Sequence, residues 1–239
     1  RDSSEILSDF PPPAADARIA YGDEPLQFGD LRLPAGDGPH PLVVVIHGGY
    51  WKATTNLTHL GHACAALARE GIATWSLEYR RIGDVGGGWP GTFDDVARAL
   101  DHVPSLPLDV DRVVLFGHSA GGHLALWSAE AVPVVAAAPV TDLEATWRRN
   151  PQVVEGLLGG APADVPDRST AATPRSAPTQ TVIHGTADDV VPFEDSVAYA
   201  RHPVRLVPLE GAGHFEPVDP QAREWPVVVA ELRRALALA

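Results

Sequence analysis

The hydrophobic positions of the chain fall into two kinds of segment that alternate from residue 27 to the end. One kind is a short apolar run, clearest at 42–46 (L-V-V-V-I), which is typical of a strand buried on both faces of a mostly parallel sheet. The first run, 27–33, alternates only weakly, as expected of an early antiparallel strand. Together these runs predict strands at 27–33, 42–46, 72–79, 112–116, 134–138, 180–184 and 204–209.

The second kind of segment carries its apolar residues at helical spacing. In 59–69 the stripe contains Leu60, Cys64 and Leu67, and Gly71 follows as a stop signal. Because strands and helices alternate at this spacing, we expect βαβ units. The fold class predicted is α/β, a single domain over 1–239 with a doubly wound, mostly parallel sheet and helices on both faces. The helices are predicted at 59–69, 94–103, 121–130 and 224–238.

Two stretches fall outside this alternation. Residues 8–16 are rich in proline and acidic residues and are expected to form an extended arm. Residues 142–178 carry scattered Pro, Arg and Ala with a short helical piece around 151–158, and lie between two predicted strands. We predict that 142–178 is a small cap or lid over a site; a long surface connection is the alternative.

Composition narrows the classes of function without identifying one. The 239 residues are 45% hydrophobic and 21% charged, as in a soluble globular protein. The formal net charge of −13 argues against nucleic acid and anionic membranes as partners, because both require a basic surface. The single cysteine excludes an intrachain disulfide. No oligomeric state follows from these numbers.

The same composition leads to expectations about origin and location. No apolar run is long enough to span a membrane, and the first ten residues lack the apolar core of a signal peptide. We therefore expect a cytoplasmic protein, although a chain that begins at Arg1 and lacks methionine leaves a trimmed N-terminus open. Abundant Ala and Pro with one lysine suggest a GC-rich bacterial genome.

The strongest motif is G-H-S-A-G at residues 117–121, directly after a predicted strand and at the start of a predicted helix. In this context a G-x-S-x-G sequence forms a tight turn that presents the serine hydroxyl above the sheet. A side chain at Gly117 or Gly121 would collide with the neighbouring strand or helix. Ser119 is therefore the candidate nucleophile, and the N–H of Ala120 is a candidate donor to a developing oxyanion.

A serine hydroxyl needs an adjacent base to accept its proton. After a G-x-S-x-G turn, the acid and the base follow in the chain order Ser, Asp or Glu, His. Asp188 follows one late strand and His214 follows the next, both at the strand ends where open α/β sheets build their sites. We predict Asp188 as the acid that orients His214, the general base. Asp189 is the main rival for the acid, and Asp142 a weaker one.

A glycine pair supplies the expected oxyanion site. Residues 47–51 read H-G-G-Y-W and follow the strand predicted at 42–46. Adjacent glycines allow the backbone N–H groups to turn toward a site, and such donors stabilise the charge formed during acyl transfer. The predicted oxyanion donors are the N–H groups of Gly49, Tyr50 and Ala120. A simple strand-to-helix turn would explain the glycines but not the aromatic pair that follows them.

These motifs together resemble those of the α/β-hydrolase superfamily over essentially the whole chain. Residues 47–51 are similar to the HGG-x-W motif of kynurenine formamidases and small carboxylesterases, 117–122 to their GHSAGG turn, and 184–192 to their acid loop. The resemblance implies the α/β-hydrolase fold with a catalytic Ser-Asp-His triad. Lipases of the hormone-sensitive type would carry a third glycine where Tyr50 stands, which favours the formamidase-like and small esterase members.

The predicted function is cleavage of a small ester or arylformamide through an acyl-enzyme, without cofactor or metal. Alternatives that use the same triad are an acyltransferase or lyase, and a peptidase for short peptides; a non-catalytic protein of this fold is a further one. Tyr79 could equally fill the core, and Trp89 could equally anchor the helix that follows it, instead of contacting substrate. The residues expected to contact substrate are Tyr50, Trp51, Tyr79, Trp89, His118, Trp147 and Phe215.

Overall fold

A computed structural model describes residues 3–7, 11–128, 132–201 and 203–238 of the chain. Its strands are β1 (Ala17–Ala20), β2 (Phe28–Arg32), β3 (Pro41–Ile46), β4 (Ala73–Leu77), β5 (Asp109–His118), β6 (Val134–Ala137), β7 (Gln180–Gly185) and β8 (Arg205–Leu209). They form one eight-stranded sheet in the order β1-β2-β4-β3-β5-β6-β7-β8. β2 is antiparallel to β1 and to β4, and all other pairs are parallel.

Helices cover both faces of this sheet. They are α1 (Gly61–Arg69), α2 (Gly91–His102), α3 (Ala120–Ser128), α4 (Leu143–Arg149), α5 (Pro151–Leu158), α6 (Pro166–Ala172), α7 (Phe193–Tyr199) and α8 (Trp225–Ala235). Short 3-10 turns span Ser3–Leu7, Leu57–Leu60, Val103–Ser105 and Glu216–Val218. No helix among the described residues combines the length and the apolar character that crossing a membrane requires.

Strand β3 shows why the sheet is a buried central layer. All six of its residues are buried, as its uninterrupted apolar sequence predicts. Alternate side chains enter two separate cores: Val44 packs in the core that α2 and α3 cover, and Val43 packs in the core that α1 and α8 cover. The doubly wound α/β prediction is confirmed.

The carboxyl ends of four strands converge on one edge of the sheet. β3 and β5 are neighbours, with Ile46 opposite Gly117, so the loops that leave them lie side by side. β7 and β8 are also neighbours and end level, with Gly185 opposite Leu209. The glycine-pair loop, the serine turn, the acid and the histidine all follow these ends, at the edge where such sheets bind ligands.

Some elements differ from the sequence prediction. β1 was not predicted, because it is a four-residue edge strand with mostly exposed side chains and depends on pairing with β2. α7 was also not predicted. Of the predicted arm, residues 8–10 lie outside the described residues, as do the last two residues of the helix predicted at 121–130.

The segment 142–178 contains three helices, α4, α5 and α6, where the sequence predicted one short piece. Asp142 caps the first of them by accepting a hydrogen bond from the N–H of Ala145 at 2.8 Å. Apolar residues of α5, including Leu157 and Leu158, are buried in the core. A lid over the site remains a prediction, and the residues that line the cavity described below include none from this segment.

Candidate active site

Ser119 occupies the sharp turn between β5 and α3. Its φ angle is 55°, a left-handed conformation that residues other than glycine rarely adopt. A Cβ atom added to Gly117 would lie 2.2 Å from the Gly121 carbonyl oxygen, and one added to Gly121 would lie 2.1 Å from the Ile46 carbonyl oxygen. Neither position therefore accepts a side chain, as the motif predicts.

His214 and Asp188 are joined by a short hydrogen bond. Nδ1 of His214 donates to Oδ2 of Asp188 at 2.7 Å, and both side chains are buried. The other carboxylate oxygen of Asp188 accepts from the backbone N–H groups of Val190 and Val191, each at 2.8 Å. Asp189 is exposed and Asp142 caps α4, so neither predicted rival occupies this position.

A second histidine also holds Asp188. Nε2 of His184 donates to Oδ2 of Asp188 and to the carbonyl of Val191, both at 3.0 Å, while its Nδ1 lies 2.6 Å from the Ser196 hydroxyl. Burial alone would raise the pKa of Asp188. The hydrogen bonds from His184 and His214 outweigh it and hold that pKa well below its usual range. The carboxylate is thus ionised and fixed in place.

Ser119 and His214 line the same cavity, which has a volume of about 350 Å³. Within the described residues no hydrogen bond joins the Ser119 hydroxyl to Nε2 of His214. Both side chains therefore face the same space.

The loop after β3 has an unusual backbone. Gly49, Tyr50 and Trp51 have consecutive positive φ angles of 100°, 52° and 56°. In the described part of the chain, the N–H groups of Gly49, Tyr50 and Ala120 donate to no other atom. The loop also runs close to the serine, since a Cβ atom added to Gly48 would lie 3.1 Å from Cβ of Ser119. Unpaired donors beside a hydroxyl are what an oxyanion site requires.

A buried polar network supports this loop from behind. Nδ1 of His47 donates to the Gly48 carbonyl at 2.8 Å, and its Nε2 pairs with Oε1 of Glu78 at 3.0 Å. The Tyr79 hydroxyl donates to the His47 carbonyl at 2.8 Å, and the two rings stack with centroids 4.5 Å apart. Arg81 lies 3.2 Å from the Glu78 carboxylate. The sequence analysis did not predict this role of Glu78.

The cavity wall combines polar and apolar surface in similar measure. Tyr50, His118 and Phe215, which the sequence analysis predicts to contact substrate, line it. A further part of the wall was not predicted from the sequence, namely Ser4, Thr54, Thr55, Asn56, Thr58, His59 and Val190. In the part of the chain that the structure describes, no three His, Cys, Asp or Glu side chains are grouped so that they could hold a metal ion.

Four aromatic residues predicted to contact substrate do not line this cavity, which corrects that prediction. Trp51 is fully buried against His123, because the backbone at φ 56° turns its side chain into the core. Tyr79 is fully buried and bonded to the loop of His47. The other two are Trp89, which packs on the Phe93 ring at 4.9 Å, and Trp147, whose Nε1 donates to Glu155 at 2.9 Å.

The chain is similar to several known proteins. The family model BD-FAE matches residues 30–133. Esterase LipC of Mycobacterium tuberculosis is 27% identical over 250 residues, which covers 84% of this chain and 60% of LipC. The probable isoprenylcysteine alpha-carbonyl methylesterase ICMEL1 of Arabidopsis thaliana is 32% identical over 114 residues, 45% of this chain and 23% of that protein. Kynurenine formamidase of Danio rerio is 29% identical over 108 residues, 45% and 36% of the two chains.

Each of these matches spans less than two thirds of the relative's own length. Among solved structures, Esterase B from Lactobacillus rhamnosis has a TM-score of 0.76 at 21% identity, covering 98% of this chain and 91% of that one. That likeness concerns the fold. The chain therefore has the α/β-hydrolase fold, and its sequence is similar to that of esterases and of a kynurenine formamidase.

Proposed function

We propose that the protein is a serine hydrolase that cleaves small esters through an acyl-enzyme. The observation that carries this proposal is that Ser119, on its strained turn, shares a cavity with His214, whose Nδ1 lies 2.7 Å from the buried carboxylate of Asp188. Ser119 is the nucleophile, His214 the general base and Asp188 the residue that orients the base. The esterases among the relatives support the same reaction.

Proton positions follow from the partners of the histidine. Because Asp188 is ionised and accepts from Nδ1, the neutral ring of His214 carries its hydrogen on Nδ1 and a lone pair on Nε2. Nε2 therefore accepts the Ser119 proton as Oγ attacks the ester carbonyl carbon. The resulting imidazolium is stabilised by Asp188, which remains ionised throughout.

The attack places a negative charge on the carbonyl oxygen. The N–H groups of Gly49, Tyr50 and Ala120 would donate to that oxygen, and a single such donor contributes about 10²- to 10³-fold to the rate in related sites. Collapse of the tetrahedral intermediate breaks the bond to the alcohol, which takes its proton from His214. Water then attacks the acyl-enzyme with His214 as base, releasing the acid and regenerating Ser119.

The cavity limits the size of the substrate. A volume of about 350 Å³ is at the small end for ligand sites and suits short acyl groups. An arylformamide is the second candidate, favoured by the aromatic side chains of Tyr50 and Phe215 at the cavity and by the similarity to kynurenine formamidase. Its small formyl group would react at Ser119 by the same steps.

Hydrolysis of p-nitrophenyl acetate, p-nitrophenyl butyrate and N-formyl-L-kynurenine tests the proposal. We expect turnover of the acetate, and loss of at least about 10³-fold in kcat for Ser119→Ala. Ser128→Ala is the matched control, because Ser128 lies on α3, its hydroxyl donates to the Ala125 carbonyl at 3.1 Å, and it is not among the residues that line the cavity. Faster turnover of the formamide than of both esters would select the arylformamidase, and equal rates for Ser119→Ala and the unaltered protein would overturn the proposal.

A product assay separates the other reactions of such a triad. With acetate ester and a large excess of an added alcohol or amine, a hydrolase releases free acetate as its main product. Accumulation of the acetylated acceptor instead would identify an acyltransferase. Turnover of short peptides with none of the esters would identify a peptidase.

A further inference from the structure

One wall of the cavity belongs to a segment for which the proposed reaction has no role. This segment, 54–59, contributes Thr54, Thr55, Asn56, Thr58 and His59 to the lining. His59 is half-buried and is the member that approaches the base. Its ring stacks on His118 with centroids 5.1 Å apart, and the His118 ring lies 4.7 Å from that of His214.

Hydrogen bonds determine which nitrogens of these rings carry protons. Nε2 of His118 lies 2.9 Å from the His214 carbonyl oxygen, which can only accept, so Nε2 carries a hydrogen. Burial lowers the pKa of His118 well below its ordinary value, so the ring is neutral and its Nδ1 holds a lone pair. Nε2 of His59, 2.8 Å from that Nδ1, must therefore donate.

The consequence is a fixed tautomer of His59. Burial, with smaller contributions from His47 and His214, lowers its pKa to about 3, so its ring is also neutral. With its one hydrogen on Nε2, the ring keeps an acceptor lone pair on Nδ1. In the described part of the chain, this nitrogen has no hydrogen-bond partner.

We propose that Nδ1 of His59 accepts a hydrogen bond from a hydroxyl group on the alcohol portion of the substrate, and so selects esters whose alcohol keeps a free hydroxyl. This inference rests on the proposed ester hydrolysis. The alcohol side is indicated because His59 approaches His214 through His118, and His214 returns its proton to the leaving alcohol. An ether or carbonyl oxygen at this position would find no donor on His59.

A purely structural role of His59 predicts a different pattern of rates. If His59 only held His118 in its tautomer, replacing His59 would lower the rate on every substrate by the same factor. A pair of esters that share acyl group and chain length separates the two roles. Glycerol 1-monoacetate and n-propyl acetate form such a pair, since they differ in the two hydroxyl groups of the alcohol.

The experiment compares kcat and KM for both esters in the unaltered protein, His59→Phe and His59→Gln. We expect the unaltered protein to prefer the glycerol ester, and His59→Phe to reduce that preference about 5-fold, the effect of one neutral hydrogen bond. The loss should lie mainly in the KM of the glycerol ester and should exceed any loss on propyl acetate, so that the ratio of the two rates falls. His59→Gln should keep most of the preference, because its amide can both donate to His118 and accept. His40→Phe, in a loop away from the cavity, is the control.

Two results would overturn the inference: no preference for the glycerol ester in the unaltered protein, or an equal loss on both esters in His59→Phe. Failure of the unaltered protein to hydrolyse either ester and p-nitrophenyl acetate would instead overturn the proposed function, and this inference with it. Activity on p-nitrophenyl acetate in each variant shows that the variant is folded.

Discussion

His47 pairs with Glu78 through a 3.0 Å contact between two buried side chains behind the loop that carries the predicted oxyanion donors. The His47 ring contacts the Gly48 carbonyl through Nδ1 and the Glu78 carboxylate through Nε2, so it bridges the two. The orientation of the Gly48 peptide, and with it the N–H of Gly49, is thereby linked to a buried charge. Removal of the carboxylate should disturb both stability and rate.

Glu78→Gln tests that link. The substitution removes the charge that faces His47 and Arg81, and breaking a buried pair costs about 3 kcal/mol. We expect the free energy of unfolding in urea to fall by about that amount, and kcat on p-nitrophenyl acetate to fall by about 10-fold or more with little change in KM. Glu24→Gln, at an exposed site, is the control. A stability and a kcat equal to those of the control would contradict this role of Glu78.

Asp188→Asn tests which carboxylate orients the base. An amide at this position can donate to Nδ1 of His214 and favour the wrong tautomer, so kcat should fall by about 10³- to 10⁴-fold. Asp189→Asn is a closely matched control, since its side chain is exposed and adjacent in sequence. Its kcat should stay within about 3-fold of the unaltered protein. The reverse pattern in these kinetics would assign the role to Asp189.

His123 predicts a dependence of stability on pH. It is fully buried, its Nε2 donates to the Ala172 carbonyl at 2.9 Å, its Nδ1 has no partner among the described residues, and burial lowers its pKa to about 4. A folded-state pKa below the unfolded value of about 6.5 means that the neutral ring's contribution is full above pH 6.5 and is lost as pH falls toward 4.

Urea unfolding at pH 7.0, 5.5 and 4.5 measures that contribution. Between the first and last pH, the free energy of unfolding of His123→Gln should decline by about 2–3 kcal/mol less than that of the unaltered protein. The same substitution at His40 serves as the control. Parallel declines in the unaltered protein and His123→Gln would show that His123 does not titrate on unfolding in this range.

The α/β fold and the placement of Ser119, Asp188 and His214 could be predicted because their signals are local. The serine turn needs glycine on both sides, at Gly117 and Gly121. An apolar run precedes Ser119, Asp188 and His214 in turn, and these runs form strands that end at one edge of the sheet. Chain order alone left Asp188 and Asp189 as rivals. The choice depends on Asp188 receiving hydrogen bonds from Val190, Val191 and two histidines, which no pattern in the sequence encodes.

The part of the cavity wall that segment 54–59 forms could not be predicted, because contacts distant in the chain hold that segment in place. The Leu57 N–H donates to the Glu78 carboxylate at 3.3 Å, and Arg81 donates to the Thr55 carbonyl at 2.6 Å. For the aromatic residues the error is the opposite one, since residues near the site in sequence do not lie at the cavity. Trp51 adjoins the predicted oxyanion loop in sequence, yet its positive φ angle turns it into the core.

Peptide mapping by mass spectrometry after treatment with a fluorophosphonate tests the central claim most directly. These reagents phosphonylate a serine that an adjacent base has activated. The account predicts one adduct per chain, on Ser119, which is absent in Ser119→Ala and retained in Ser128→Ala, with esterase activity lost in parallel with labelling. An unlabelled protein that still hydrolyses p-nitrophenyl acetate, or an adduct on another residue, would contradict the assignment of Ser119 as the nucleophile.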